Sequence, residues 1–298
     1  MTGRGVGRAC RPFTLVLAGG GARGFAHVGV LRALEAYGLR PSALVGVSMG
    51  AVVGASYALN PDWYRQLLEM DTSIFPGPRE PPGDERGTWS RKIGAAWRNT
   101  RVLWEMFRGW GPGERAFREG NALLRDLTLG RNLEQGRVPI AVSTTDLQTG
   151  ERVVLRSGPA AEAVYASAAL AGVLPPLSTD GRLLCDGAYA DLAPIDSARA
   201  LGPDTVIAVD PVQSPRDTDI RNGLEALMRA VEICHIRHAE LRFREADLVL
   251  RPRFRRPIEV LEFDAKRECV AAGVRVVRER LPDLSRRLSP APSAVRPL

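Results

Sequence analysis

The sequence predicts an α/β domain whose central sheet is mainly parallel. Residues 13–18 and 43–47 form two short, continuous apolar runs, as strands do when both faces of a sheet are covered. A helical pattern follows each run before residue 60. This strand–helix–strand–helix order predicts a βαβ unit, and a hydrophobic content of 45% is sufficient for a buried core.

The first helix is predicted after the glycine-rich turn that ends the first strand. Phe25, Val28 and Leu31 recur every three residues, which places them on one helical face. Gly38 is a typical helix stop. A second helix is predicted over residues 50–59, directly after the second strand.

The rest of the chain continues the alternation of strands and helices. A hairpin is predicted over residues 138–147 and 150–158, with its turn at residues 148–150. The remaining predicted elements are helices over 160–172, 225–245 and 265–281, and strands over 181–190, 204–212 and 246–254.

One domain is predicted over residues 12–285, because no internal repeat or linker divides the chain. Residues 1–11 and 286–298 are predicted to be disordered tails. The formal net charge of +7 favours anionic partners without choosing among them. The four cysteines form no CxxC pair, so neither a zinc site nor a disulfide framework is expected.

The uncharged run over residues 42–60 approaches the length of a membrane span. Its glycines and serines indicate a strand, a turn and a buried helix instead. Residues 13–18 are too short for the apolar region of a signal peptide. We therefore expect no membrane span and a cytoplasmic location, with peripheral membrane association left open.

A basic, tryptophan-rich segment occupies residues 89–110. Four of the five tryptophans lie in it, from Trp89 to Trp110. Tryptophan prefers membrane interfaces, and arginine pairs with anionic headgroups. The segment fits either a peripheral membrane contact or an ordinary helix packed on the core, and the sequence leaves both open.

Gly19, Gly20 and Gly21 lie between the first strand and the first helix, in the run GGGARG. Main-chain N–H groups at the start of a helix favour a negative charge there. A dinucleotide loop would need an acidic residue after the second strand, and none is present. The other use is an oxyanion hole, which stabilises the negative oxygen of a tetrahedral acyl intermediate.

Ser48 lies in the motif G-x-S-x-G on the predicted second strand-to-helix turn, which is typical of a nucleophilic serine. Because the carboxyl ends of neighbouring parallel strands face one crevice, Ser48 and the glycine loop should meet. A nucleophilic serine needs a base. None of the three histidines lies between residues 28 and 234.

Asp186 precedes a glycine at the end of a predicted strand. An aspartate in this position is most often part of a turn or a cap. A carboxylate that is partly desolvated has a raised pKa and can serve as a base if a serine is close. The residues themselves leave both roles open.

This ordered set of motifs resembles the patatin-like phospholipase family over residues 13–211. The motifs are LVLAGGGARGFAHVGVL, GVSMGA and DGAYADLAP, and the connecting stretches IAVSTTDLQTGERVVL and ASAALAGVLPPL are similar too. Ala18 and Met49 depart from the glycine and alanine that are frequent in the family. Both lie beside the expected site, so they bear on substrate preference rather than on the chemistry.

The resemblance implies a three-layer α/β/α sandwich and a Ser–Asp dyad that needs no histidine, metal or cofactor. Ser48 matches the nucleophile, Asp186 the base and residues 19–21 the oxyanion loop. Arg23 is the candidate for binding an anionic headgroup, with a structural salt bridge as the alternative. The implied activity is hydrolysis of acyl esters in phospholipids, lysophospholipids or related lipids, with no nucleic acid partner.

Three other interpretations remain. A Ser–His–Asp hydrolase could use His235 or His238, although both lie within a predicted helix, whereas a triad histidine normally lies on a loop. His27 is interpreted as a helix-packing residue, with ordering of the glycine loop as the alternative. The second interpretation is a lipid- or partner-binding module without catalysis, and the third is a nucleotide-binding module.

Overall fold

A computed structural model describes residues 10–72, 113–203, 205–213, 220 and 223–289. The tryptophan-rich segment at residues 89–110 therefore lies outside the described residues. The strands are β1 Thr14–Leu17, β2 Ala43–Val47, β3 Ile140–Asp146, β4 Arg152–Leu155, β5 Leu177–Thr179, β6 Arg182–Asp186, β7 Val206–Val209 and β8 Leu248–Leu250. The α-helices are α1 Ala26–Ala36, α2 Met49–Leu59, α3 Trp63–Glu69, α4 Gly113–Thr128, α5 Ala160–Ala168, α6 Ile195–Leu201, α7 Gly223–Phe243, α8 Lys266–Glu279 and α9 Leu281–Leu288.

These strands form one mixed sheet. Five strands run parallel in the order β3–β2–β1–β7–β8, which confirms the predicted parallel centre. β4 and β6 both pair with β3 in the antiparallel sense, and β5 pairs with β6. The predicted hairpin at residues 138–158 is the β3–β4 pair.

The register of β3 decides where β6 ends. Ser143 is paired with Val47 of β2 and with β4, and Thr144 is paired with Asp186 of β6 and with β4. Because β4 occupies one edge of β3 along both residues, β2 and β6 must share the other edge. β2 runs parallel to β3 and β6 runs antiparallel, so their carboxyl ends meet head to head.

Alternate residues of β1 show the three layers. Leu15 and Leu17 belong to a core cluster that contains residues of α1, α2, α4, α5 and α8. Val16 and Ala18 belong to a second cluster, on the other face, with residues of α6 and α7. Helices therefore cover both faces of the sheet, as the α/β/α prediction requires.

The chain differs from the predicted elements in several places. The sequence predicts none of α3, α4, α6 or β5. The predicted C-terminal tail begins too early, because α9 continues to Leu288 and packs Leu284 and Leu288 into the core. The main-chain N–H of Arg11 donates to Leu288 O at 2.8 Å. The folded region therefore extends into both of the predicted tails. Along the described chain, no helix is both long and apolar enough to cross a membrane.

Candidate active site

Ser48 occupies a tight turn between β2 and α2. Its φ of 53° and ψ of −125° are unusual for a residue that carries a side chain, and such backbone strain is found most often at functional sites. The flanking glycines are required by space, because a Cβ at Gly50 would lie 2.0 Å from Leu17 O and one at Gly46 would lie 2.5 Å from the Cα of Ala51. The motif therefore folds as predicted and places Ser48 at the N-terminus of α2.

Ser167 of α5 fixes the main chain of this turn. The Ser48 N–H donates to Ser167 Oγ at 2.9 Å, and the Ser167 hydroxyl donates to Ser143 O at 2.6 Å. Ser167 is fully buried, so water has no access to replace its hydroxyl. These bonds join the turn at Ser48 to both α5 and β3. Ser167 lies in the stretch ASAALAGVLPPL, but the sequence does not single it out as a site residue.

Ser48 and Asp186 are brought together by the head-to-head meeting of β2 and β6. The Ser48 side chain lies close enough to the Asp186 carboxylate to stabilise its ionised form. Asp186 Oδ1 also accepts from the main-chain N–H of Ala188 at 2.9 Å. The two residues singled out in the sequence are thus adjacent. The meeting of the carboxyl ends of parallel strands explains the position of Ser48, but it does not explain that of Asp186, because β6 is antiparallel to β3.

Burial sets the protonation of Asp186. Its side chain is only 4% exposed, and desolvation raises its pKa to about 6 from the ordinary value of 3.8. The hydrogen bond from Ala188 and the interaction with Ser48 act in the opposite direction, because both stabilise the carboxylate. Near pH 7 the group is mostly ionised, yet it is a stronger base than an exposed aspartate.

Thr145 of β3 holds the turn that follows Asp186. Its hydroxyl donates to Asp186 O at 2.9 Å and accepts from the Ala190 N–H at 3.0 Å. A Cβ at Gly187 would lie 2.2 Å from Ser143 O, so glycine is the residue that fits there. The pairing of β6 with β3 does not by itself predict either contact of Thr145. This residue lies in the stretch IAVSTTDLQTGERVVL, but the sequence does not single it out as a site residue.

The glycine loop lies against Ser48. A Cβ at Gly19 would lie 3.5 Å from the Cβ of Ser48. The Gly19 N–H points to Leu192 O at 3.4 Å, and the Ala22 N–H donates to Val260 O at 2.7 Å. Between them, the N–H groups of Gly20 and Gly21 have no main-chain acceptor in the part of the chain that the structure describes. These two groups can donate to an oxyanion.

His27 supports the start of this loop. Its Nε2 donates to Ala18 O at 2.8 Å, and the ring is completely buried. Burial lowers the pKa of His27 to about 4, so the imidazole is neutral near pH 7. The bond orients the peptide unit that enters the glycine loop, which supports the loop-ordering alternative for His27.

The late histidines lie on α7, as predicted, rather than on a loop. His235 contacts the ring of Tyr189 edge to face, with ring centroids 5.3 Å apart, and burial lowers its pKa. Among the described contacts, neither His235 nor His238 is hydrogen-bonded to Ser48 or Asp186. This geometry gives no support to a Ser–His–Asp triad.

Arg23 is buried beside the glycine loop. It is 6% exposed, and its Nε lies 3.4 Å from Gly20 O. Burial lowers its pKa, while the nearby carboxylates of Glu232 and Glu259 oppose that shift. Its charge is therefore balanced by protein groups, which favours the structural alternative, and binding of an anionic headgroup stays a prediction.

Ser48 lines a cavity of about 740 Å³. Its lining includes Asp186, the three glycines of the loop and Arg23. Most of the other lining residues are apolar, among them Met49, Val52, Leu170, Val173, Leu174, Leu192 and Phe263. One wall comes from residues 212–263, beyond the stretch in which the sequence motifs occur. The described residues contain no group of three or more His, Cys, Asp or Glu that could hold a metal ion.

Comparisons with known proteins agree with these motifs. Residues 15–199 match the family model described as "Patatin-like phospholipase". Lysophospholipase NTE1 of Cryptococcus neoformans is 35% identical over 208 residues, 70% of this chain and 12% of that protein. Patatin-like phospholipase domain-containing protein 7 of Mus musculus is 32% identical over 219 residues, 72% of this chain and 14% of that protein. The chain thus spans about one seventh or less of these relatives.

The solved structures that match this chain have lower sequence identity to it than these relatives do. Human GIVD cytosolic phospholipase A2, in complex with methyl gamma-linolenyl fluorophosphonate, is 12% identical, with a TM-score of 0.43. The match covers 93% of this chain and 58% of that one. VipD from Legionella pneumophila is 14% identical, with a TM-score of 0.42, and the match covers 91% of this chain and 68% of that one.

Proposed function

Because the chain belongs to the patatin-like phospholipase family, we propose that it is a serine hydrolase that cleaves acyl esters of phospholipids, lysophospholipids or related lipids. The observation that carries the proposal is the interaction of the Ser48 side chain with the buried Asp186 carboxylate, both of which line an apolar cavity. A nucleophile paired with a base beside free N–H donors is the arrangement that acyl transfer requires.

The reaction begins when an ester carbonyl binds with its oxygen towards the N–H groups of Gly20 and Gly21. Asp186 accepts the Ser48 proton as Ser48 Oγ attacks the carbonyl carbon, and the negative oxygen of the intermediate is stabilised by the two donors. The C–O bond to the leaving alcohol then breaks, and that alcohol takes the proton from Asp186. Water, deprotonated by the same carboxylate, hydrolyses the acyl-enzyme and regenerates Ser48.

Two features of the site raise the reactivity of a serine without a histidine. The raised pKa of Asp186 makes it a better proton acceptor near neutral pH than an ordinary aspartate. Ser48 lies at the N-terminus of α2, where the helix dipole stabilises a developing negative charge on its oxygen. Together they replace part of the activation that an imidazole would supply.

The cavity suits an acyl chain. Its volume of about 740 Å³ lies within the range of small-molecule sites, and most of its lining residues are apolar. Burying methylene groups there contributes roughly 0.8 kcal/mol for each group. Peripheral membrane contact through residues 89–110 remains a separate prediction.

The full chain should release free fatty acid from a lysophospholipid and p-nitrophenol from a p-nitrophenyl acyl ester. Chromatography of the fatty acid and absorbance of p-nitrophenol measure the two reactions, and a panel of headgroups and chain lengths ranks the substrates. Binding of the lipids without release of either product would contradict the hydrolase and favour a non-catalytic lipid-binding module. Stabilisation by nucleotides would favour the nucleotide-binding interpretation.

Ser167→Ala should lower kcat by about ten- to a hundredfold with little change in KM, because the substitution loosens the nucleophile turn without altering the cavity. Steady-state kinetics with the soluble ester measure both constants. The matched control is Ser56→Ala, because Ser56 in α2 is equally buried and donates to Val52 O at 2.7 Å without touching the turn. An equal fall of kcat in both variants would assign Ser167 a merely structural role.

A further inference from the structure

We propose that the cavity mouth docks on an anionic membrane surface through a rim segment formed by residues 251–262. The inference rests on the proposed function, since it concerns how a lipid hydrolase meets its substrate. The rim segment lies beyond residues 15–199, the part of the chain that matches the family model.

The rim segment is attached to the glycine loop. Val260 O accepts the Ala22 N–H at 2.7 Å, and a Cβ at Gly21 would lie only 2.2 Å from the same oxygen. Val260 lines the cavity and is 37% exposed, so it lies at the mouth. A surface that contacts Val260 is therefore held in a fixed position relative to the oxyanion donors.

The tip of the rim segment is a closed turn. Arg256 Nη2 lies 2.6 Å from Glu262 Oε1, and the Glu259 N–H donates to Glu262 Oε2 at 3.1 Å. Ile258 is 2% exposed and anchors the turn in the core. Glu259 faces the cavity, where its carboxylate interacts with Arg23. The turn thus holds Val260, which is partly exposed, between two ends that are fixed by these contacts.

Positive charge borders this tip. The sequence RPRFRR at residues 251–256 contains four arginines and no acidic residue. Arg251 is paired with Asp210 at 3.0 Å and Arg256 with Glu262. Arg253 and Arg255 are exposed, and neither forms an ion pair with a residue that the structure describes. Both guanidinium groups can meet lipid phosphates.

Exposed aliphatic residues of the cavity wall accompany the arginines of the rim segment. Val260 belongs to the rim segment itself, and Ile220, which also lines the cavity, is 52% exposed. A membrane interface takes aliphatic groups into its acyl boundary and attracts arginine to anionic headgroups. An acidic protein would satisfy the arginines alone, whereas an anionic membrane satisfies both and supplies lipid to the cavity.

The test is co-sedimentation of the full chain with vesicles, in a Ser48→Ala background that prevents hydrolysis. Vesicles of phosphatidylcholine containing phosphatidylglycerol should bind the protein, and pure phosphatidylcholine vesicles should bind it weakly. Reversing both free charges, with Arg253→Glu and Arg255→Glu, should weaken binding to the anionic vesicles by about thirtyfold or more, since each arginine near such a surface contributes roughly tenfold or less. High salt should weaken the unmodified protein similarly.

The matched control carries Arg156→Glu and Arg182→Glu, two exposed arginines away from the cavity that give the same change in net charge. It should bind the anionic vesicles much more tightly than the rim variant. An equal loss of vesicle binding in the rim variant and the control variant would overturn the proposal and assign the binding to the net charge of the protein. Full binding by the rim variant would also overturn it and assign the binding to another segment. With Ser48 restored, the rim variant should hydrolyse the soluble ester at the wild-type rate. If the wild-type chain itself does not hydrolyse this ester, the proposed function fails, and the vesicle experiment still tests the membrane contact independently.

Discussion

Replacing Ser48 by alanine should abolish nearly all ester hydrolysis, with kcat lower by about 10⁵- to 10⁶-fold, as for nucleophile removal in other serine hydrolases. The residual rate would come from the oxyanion donors and from substrate positioning, because both remain when the hydroxyl is lost. The measurement is kcat for a soluble p-nitrophenyl ester, after thermal unfolding has shown that the variant is folded. Alanine also carries a Cβ, so the strained backbone conformation at position 48 should cost the same free energy in the variant as in the wild-type chain.

His235→Ala and His238→Ala are the controls for this experiment. Each removes an imidazole that a triad would need, and each should leave kcat within about tenfold of the wild-type value, since only a triad histidine would cost about 10⁴-fold or more. Loss of activity in either folded variant would replace the dyad by a triad. Equal rates for Ser48→Ala and the wild-type chain would remove Ser48 from the mechanism.

Asp186→Asn should lower kcat by about 10³- to 10⁴-fold, because the amide cannot accept the proton of Ser48. The matched control is Asp210→Asn. Asp210 is also a buried aspartate with a pKa raised by desolvation, at the end of β7, but it pairs with Arg251 rather than with Ser48. An equally large loss from Asp210→Asn would mean that the activity reflects buried aspartates in general.

The pH profile of the wild-type chain follows from the same carboxyl group. The base must be ionised, so kcat/KM should fall by half near pH 6 and tenfold for each further unit of acidification. An acid limb centred near the ordinary aspartate pKa of 3.8 would show that burial does not tune this group.

The stability of the chain should change in the opposite direction to its activity. Between pH 3.8 and about 6 the folded state binds a proton at Asp186 that the unfolded state has released, so the free energy of unfolding decreases as the pH rises through this window. Asp186→Asn removes the buried charge and should raise the free energy of unfolding at pH 7 by about 1–3 kcal/mol. The gain should vanish below pH 3.8, which denaturant titrations at both pH values can measure.

The sequence predicts β1, β2 and the turns that follow them correctly, because the signals for these elements are local. The apolar runs of β1 and β2, the glycines after them and the turn at Ser48 all follow from neighbouring residues. Gly46 and Gly50 are recognisable in the sequence as the glycines of the G-x-S-x-G motif. The structure shows why they are glycines, because close main-chain contacts leave no room for a Cβ at either position.

Asp186 is harder to derive, because its position depends on register. Only the pairing of Thr144 with Asp186 and of Ser143 with Val47 shows that the two strands meet on one edge. The contacts of Ser167 and the wall formed by residues 212–263 are equally non-local. Periodicity and composition do not contain this information, and the resemblance supplies the aspartate but not the geometry.

One missed element did have a local signal. β5 and β6 are joined by Asp180 and Gly181, both with positive φ, at 48° and 71°. Aspartate followed by glycine between two short runs is typical of a two-residue hairpin turn. The strand before Asp180 could therefore have been predicted, although it has only three residues.

The head-to-head meeting of β2 and β6 also makes activity a probe of how completely the chain has folded. Ser48 and Asp186 are far apart in the sequence, and they touch only after β3 has paired with both strands, so closing this contact carries the entropy cost of a long loop. A chain that loses β6 by partial unfolding retains the glycine loop and the nucleophile turn but has no base. Under mild denaturation, hydrolysis should therefore decline before the parallel centre of the sheet unfolds.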